Sequence, residues 1–146
     1  MRITYKGDYA LKTILDLSTH YGDAPITIHE LAARADIPTK FLEQILLDLK
    51  RGGFVESRRG KIGGYLLARP PKEIALGEVI RFIDGPVDPI NCLDKHYKGC
   101  KEVTRCVFRD IWQKVEKETS NIIDNITFDD LVKKNKKFGS SLVYQI

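Results

Sequence analysis

Between Pro38 and Gly53 the apolar residues Leu42, Ile45, Leu46 and Leu49 fall at i, i+3, i+4 and i+7, the stripe of a short helix buried along one face. Both ends are set by chemistry. Proline is tolerated in a first helical turn and disfavours helix in the residue before it, so Asp36-Ile37-Pro38 is a break, and Gly52-Gly53 is a stop. Thr39, Lys40, Glu43, Gln44, Asp48 and Arg51 are left on the opposite face. Two short strand-like runs follow at 54–57 and 65–68, joined by Arg58-Arg59-Gly60-Lys61-Ile62-Gly63-Gly64, a loop of glycines and cations.

Two further helices precede this unit. Over 6–21 the residues Ala10, Leu11, Ile14, Leu15 and Tyr21, with small Ser18, recur at helical spacing until Gly22, Asp23 and Pro25. Thr27 and Glu30 then form a T-x-x-E capping box ahead of Leu31, Ala32 and Ala35, which predicts a short helix ending near Ala35. Three helices and a basic hairpin, in that order, describe a winged helix-turn-helix.

Beyond Pro70-Pro71 the spacing predicts a short amphipathic helix over 76–83, stopped by Gly85-Pro86, and then a loop over 86–104. From Arg105 onward Phe108, Trp112, Val115, Thr119, Ile122 and Ile126 alternate four and three apart, a heptad-like seam suited to a dimer helix. Thr127 and Asp130 predict a capped final helix from Phe128 to about Lys134, with a Lys-rich, frayed tail after it. The expected fold is mainly α with a small β-hairpin: a winged helix-turn-helix DNA-binding domain over 1–84, then a cysteine loop (85–106) and dimerisation helices over 85–146.

The formal net charge is only +4, but its location is informative. Lys50, Arg51, Arg58, Arg59 and Lys61 face a single acid, Glu56, between positions 50 and 61, while the rest of the chain is neutral. Duplex DNA asks for cations against phosphate, a helix that fits the major groove, and side chains that reach base edges. Thr39, Lys40, Glu43 and Gln44 occupy the part of the helix that usually meets bases, and Lys50 and Arg51 are placed for phosphates. Arg58 or Arg59 on the hairpin, with Lys61, would meet the electronegative minor groove. Either feature alone reads better as a solvated helix face or an ordinary turn. Together, carrying the whole net charge, they point to double-stranded DNA.

Cys92, Cys100 and Cys106, separated by seven and five residues, are the only cysteines. An odd, clustered set suits neither a disulfide framework nor scattered core thiols. Soft thiolates bind iron-sulfur clusters or zinc, both of which ordinarily take four ligands. His96 could complete a zinc site, with Asp94, Glu102 or a carboxylate from another chain as further candidates. A buried thiol plus a reversible disulfide is the plain alternative. No apolar run reaches the roughly 18 residues of a membrane helix, and the charged start lacks a secretory h-region, so the expectation is a cytoplasmic protein.

As a set, these residues resemble the IscR and NsrR type of winged-helix regulator, the Rrf family of bacterial transcription factors. The resemblance runs through MRITYKGDYALK, IHELAARADIPTKFLEQILLDLKRGGFVES, RRGKIGGYLLARPPKEIALGEVIRFIDG and the cysteine loop before a long helix. FLEQIL, L-x-x-G-G-F-V and R-G-x-x-G-G-Y-L-L are its specific elements. It implies a homodimer, with the long helix crossing its partner and two winged helices reading a palindromic promoter site. It further implies a [2Fe-2S] or [4Fe-4S] cluster on Cys92, Cys100 and Cys106, whose oxidation, nitrosylation or loss changes DNA affinity.

Two departures matter. The first cysteine gap is seven residues rather than the family's usual five, which leaves the cluster type open. Where IscR-like proteins carry a ligating His, three residues past the last cysteine, this chain has Arg109. NsrR-like proteins instead draw an Asp from the first helix of the other subunit, and Asp8 stands in the matching place, so the resemblance favours Asp8 over His96. The leading expectation is a regulator that senses iron-sulfur status, redox state or nitric oxide. A zinc- or thiol-based regulator, and an electron carrier or cluster-delivery protein on a winged-helix scaffold, are the competing readings. No Ser-His-Asp set, phosphate loop or H-E-x-x-H motif marks an enzyme.

Overall fold

Thr4 begins the architecture: its hydroxyl accepts from the Gly7 amide at 3.0 Å and caps α1 (Tyr5–Thr19). In the computed structural model, which describes the backbone of residues 1–144 and the side chains of 1–139, α2 (Ile28–Ala35) and α3 (Thr39–Arg51) follow. The capping box ahead of α2 forms in both directions, with Glu30 N to Thr27 Oγ1 at 3.3 Å and Thr27 N to Glu30 Oε2 at 3.2 Å. Asp36, in the left-handed conformation at φ 52°, closes α2, and Pro38 opens α3. The predicted stripe Leu42, Ile45, Leu46 and Leu49 is the buried face of α3.

The wing is an antiparallel pair, β1 (Val55–Arg58) and β2 (Gly64–Leu67), in register from Val55 opposite Leu67 to Arg58 opposite Gly64. It is anchored on its far side, where Ile26 and Tyr65 exchange backbone hydrogen bonds of 2.9 and 2.8 Å. A 3-10 turn at Pro71–Glu73 leads to α4 (Leu76–Asp84). A second 3-10 turn, Asn91–Leu93, is the one helical element between α4 and α5 (Arg109–Asp124). The last helix is α6 (Phe128–Tyr144).

One core joins these elements. Ile14 of α1, Leu31 of α2, Leu42 and Leu46 of α3, Phe54 before β1 and Ile74 before α4 pack with Phe128 of α6. Each such aliphatic or aromatic side chain contributes about 1.5–3 kcal/mol through its removal from water. Phe128 enters because the chain pairs Leu76 N with Ile126 O at 2.8 Å and Phe128 N with Ile74 O at 3.0 Å, drawing α6 back onto the winged part. A smaller cluster of Ile80, Val87 and Ile123 fastens α5 to α4.

Two boundaries differ from expectation. Helix was expected from Arg105, but 104–108 form turns and α5 begins at Arg109. The final helix was expected to end near Lys134; it continues to Tyr144, with Lys133 on Asp129 at 2.8 Å in its first turns and Lys134 over the Phe138 ring at 5.9 Å across the expected end. Of the Lys-rich tail expected to fray, residues 145–146 lie outside the described residues.

Candidate nucleic-acid interface and cysteine loop

Helical spacing of 100° per residue sorts the polar face of α3 into three strips. Opposite the core lie Lys40, Gln44, Leu47 and Arg51, all exposed. Toward the wing lie Glu43 and Lys50, both exposed, with half-buried Thr39 nearest the core. Lys50 Nζ donates to Ser57 Oγ of β1 at 2.7 Å, so the end of α3 and the wing form one surface. Toward α1 lie Phe41, edge-on to the Tyr9 ring at 6.4 Å, and Asp48, which pairs with Lys6. The Lys6 ammonium holds the Asp48 carboxyl below its ordinary 3.8, with Gln44 and Arg51 adding to the effect and partial burial opposing it. Gln44 Nε2 donates to Asp48 Oδ1 at 3.3 Å, which steadies an amide otherwise free to rotate.

Arg58, Arg59 and Lys61 are exposed on the wing, Arg58 lying 3.7 Å from Glu56. Of the expected DNA-contacting residues, Lys40, Glu43, Gln44, Lys50 and Arg51 are thus exposed on α3 and Arg58, Arg59 and Lys61 on the wing, joined through the Lys50–Ser57 bond, while Thr39 is half-buried. Three apolar residues beside them were given no role in the sequence reading: Phe41 at 61%, Leu47 at 45% and Ile62 at 75% exposure. Apolar residues at positions the helical stripe assigns to solvent, or in a cationic turn, were the available signal.

The cysteines sit in the irregular stretch between α4 and α5. All three are half-buried free thiols: Cys92 in the 3-10 turn, Cys100 in the loop, Cys106 three residues before α5. Arg109, the first residue of α5, donates to the Cys92 carbonyl at 2.7 Å and pins the loop to the helix. His96 is exposed, its amide donating to Asp94 Oδ1 at 2.8 Å. Among the described residues no three or more His, Cys, Asp or Glu side chains converge into a group that would hold a metal ion. The donor chemistry fits iron-sulfur or zinc, while one chain by itself does not gather the donors.

Asp8 stands on the first turns of α1, half-exposed beside an open cleft of about 610 Å³ lined by Arg2, Ile3, Thr4 and Tyr5. Lys12 Nζ lies 2.6 Å from Asp8 Oδ2, and this hydrogen bond and charge raise the lysine above its ordinary 10.5. The Asp8 carboxylate is thus paired within the chain and half-exposed to solvent.

The family model described as Rrf2, iron-dependent transcriptional regulator, matches residues 3–134. The HTH-type transcriptional regulator IscR of Yersinia pseudotuberculosis serotype O:1b (strain IP 31758) is 37% identical over 132 residues, 90% of this chain and 79% of that protein. Among solved structures, CymR (YrzC), the global cysteine regulator of B. subtilis, matches with a TM-score of 0.77 and 27% identity over 92% of this chain and 98% of that one. T. potens IscR matches with a TM-score of 0.73 and 30% identity over 92% and 88%.

Proposed function

The chain belongs to the Rrf2 family of transcriptional regulators, and from that premise we propose that it acts as a homodimer on a palindromic promoter site under the control of an iron-sulfur cluster. The relatives are regulators rather than enzymes. The observation that carries the DNA reading is the single outward surface formed by Lys40, Gln44 and Arg51 of α3 with Lys50, Arg58, Arg59 and Lys61 beside them. Gln44 suits an adenine edge, Glu43 a cytosine amino group, and the cations suit phosphates.

The dimer reading rests on α5. Ile123 is its one buried residue, whereas Ile111, Val115 and Ile122 are exposed along it and Phe108 is exposed just before it. A helix of 16 residues that gives its own fold so little apolar surface is suited to burying the remainder against a second copy. No described helix is long and apolar enough to cross a membrane, which leaves a protein surface as the natural cover.

For the cluster, Cys92, Cys100 and Cys106 are the thiolate donors and Asp8 of the partner subunit is the fourth ligand, with His96 the alternative. The support is the iron-dependent family, the IscR relatives and three unpaired thiols in the irregular stretch between α4 and α5, outside the α-helices and strands. When bound, the cluster supplies a centre sensitive to oxidation and nitric oxide. The chain's part is to hold it, with Arg109 fixing Cys92 relative to the dimer helix and Asp8 linking it to α1.

Anaerobic purification with iron and sulfide counts and a visible spectrum, followed by DNA binding before and after cluster removal, tests this. Iron and sulfide in matched amounts and a change in DNA affinity on removal are expected. A colourless protein holding zinc, or reversible thiol oxidation alone controlling binding, would replace the cluster. Absence of salt-dependent DNA binding would return the electron-carrier reading.

A further inference from the structure

The tip of the wing carries an apolar side chain that the fold does not use. Ile62 is 75% exposed and sits between Lys61 and Gly63. The turn is closed by Gly63 N donating to Gly60 O at 3.1 Å, with Gly60 at a positive φ, so Ile62 is not needed to make it. The strand register ends at Arg58 opposite Gly64, which leaves 59–63 projecting beyond the hairpin. A β-branched side chain is disfavoured in such a turn and gains nothing from standing in water.

The surroundings indicate what covers it. Arg58, Arg59 and Lys61 are all exposed around the same tip, and Lys50 holds β1 to the end of α3, so whatever meets Ile62 is polyanionic and lies beside the helix's own target. On a duplex read by α3 in the major groove, that neighbour is a minor groove. Its floor distinguishes base pairs coarsely: A·T shows acceptors alone, and G·C adds the guanine 2-amino donor. An apolar group laid on the floor tolerates adenine but buries the guanine amino group without a partner, which is costly.

We propose that Ile62 is a specificity-determining residue of the wing, resting on the minor-groove floor and selecting A·T over G·C at the step it covers. This rests on the DNA-binding reading above and adds a second reading head to α3, one that works by exclusion rather than by hydrogen bonding.

The test uses full-length protein and a duplex enriched by it from a random-sequence library, with single A·T pairs at the wing-protected position replaced by G·C or by inosine·C. Inosine·C has the major-groove functional groups of G·C and lacks the minor-groove amino group. G·C should weaken binding about fivefold or more, the low end of the cost of one mismatched pair, and inosine·C should restore it. Ile62→Ala should flatten the difference while leaving the salt dependence unchanged, because no cation is removed. Equal discrimination by Ile62→Ala, or inosine·C binding as weakly as G·C, would overturn the proposal while leaving DNA binding intact. Failure of the wild-type chain to show salt-dependent binding to any duplex would overturn both.

Discussion

Lys6 Nζ stands 2.6 Å from Asp48 Oδ2, so an ion pair joins the first turn of α1 to the flank of α3. The other Asp48 oxygen receives the Gln44 amide at 3.3 Å and lies 3.7 Å from Arg51. One carboxylate therefore arranges two outward-facing side chains of α3 and ties them to the helix that bears Asp8.

Asp48→Ala should loosen Gln44 and weaken DNA binding, while its cost to stability is small, about 0.5–1 kcal/mol for a pair open to solvent on the lysine side. Because the folded carboxyl titrates below the ordinary 3.8, the stabilisation is present above that value and is lost as pH falls through the lower folded value. Urea unfolding of wild type and Asp48→Asn should differ at neutral pH and converge once the pH has fallen below the lowered folded value. A difference that persists there would show that packing, not the charge, carries the effect.

Each alanine replacing Arg58, Arg59 or Lys61 should lower DNA affinity for all sequences and reduce the slope of log K against log salt by about 0.9. Gln44→Ala should instead leave the slope alone and change which base is preferred. A titration series over salt, on one enriched duplex and on variants of it, separates the two classes.

Asp8→Ala, prepared without air, should shorten the lifetime of the visible chromophore with the fold retained. Lys12→Ala is the control, since it removes the cation paired with Asp8 and leaves the carboxylate available. Equal spectra and lifetimes for wild type and Asp8→Ala would exclude the carboxylate as a ligand and turn attention to His96.

Val115→Glu or Ile122→Glu places a charge in the exposed apolar line of α5. Sedimentation equilibrium should show the mass halving, with DNA affinity falling because two half-sites no longer share one binder. A dimer that survives both substitutions would place the interface elsewhere.

At Gly7 an added Cβ would meet Asp84 Oδ2 and Cγ, and Asp84 is itself held by the Thr4 amide at 3.1 Å and the Thr4 hydroxyl at 2.5 Å. Gly7→Ala should cost about 1–3 kcal/mol, read from the urea midpoint, and much less in an Asp84→Ala background. Additive losses would mean that the clash is not with Asp84.

Much of the winged part was legible before any coordinates. Leu42, Ile45, Leu46 and Leu49 announce both the helix and its buried face, and Thr27 with Glu30 marks a helix start that forms as a reciprocal cap. These are local matters of backbone conformation and period, decided within a few residues of each other. Arg109 shows where local reading stops: the helical period continues back to Arg105, yet Cys106, Val107 and Phe108 form a turn and the Arg109 guanidinium reaches the Cys92 carbonyl 17 residues away. The pairing of Lys6 with Asp48, the return of Phe128 to the core and the isolation of Ile62 at the wing tip are likewise invisible in one dimension. The sequence by itself determined the helices, the hairpin, the charged segment and the supply of thiols, because propensity, capping and composition act along the chain. Only the tertiary structure decided which of those charges share a surface and which apolar residues are left without cover, because burial and pairing depend on neighbours far away in the chain.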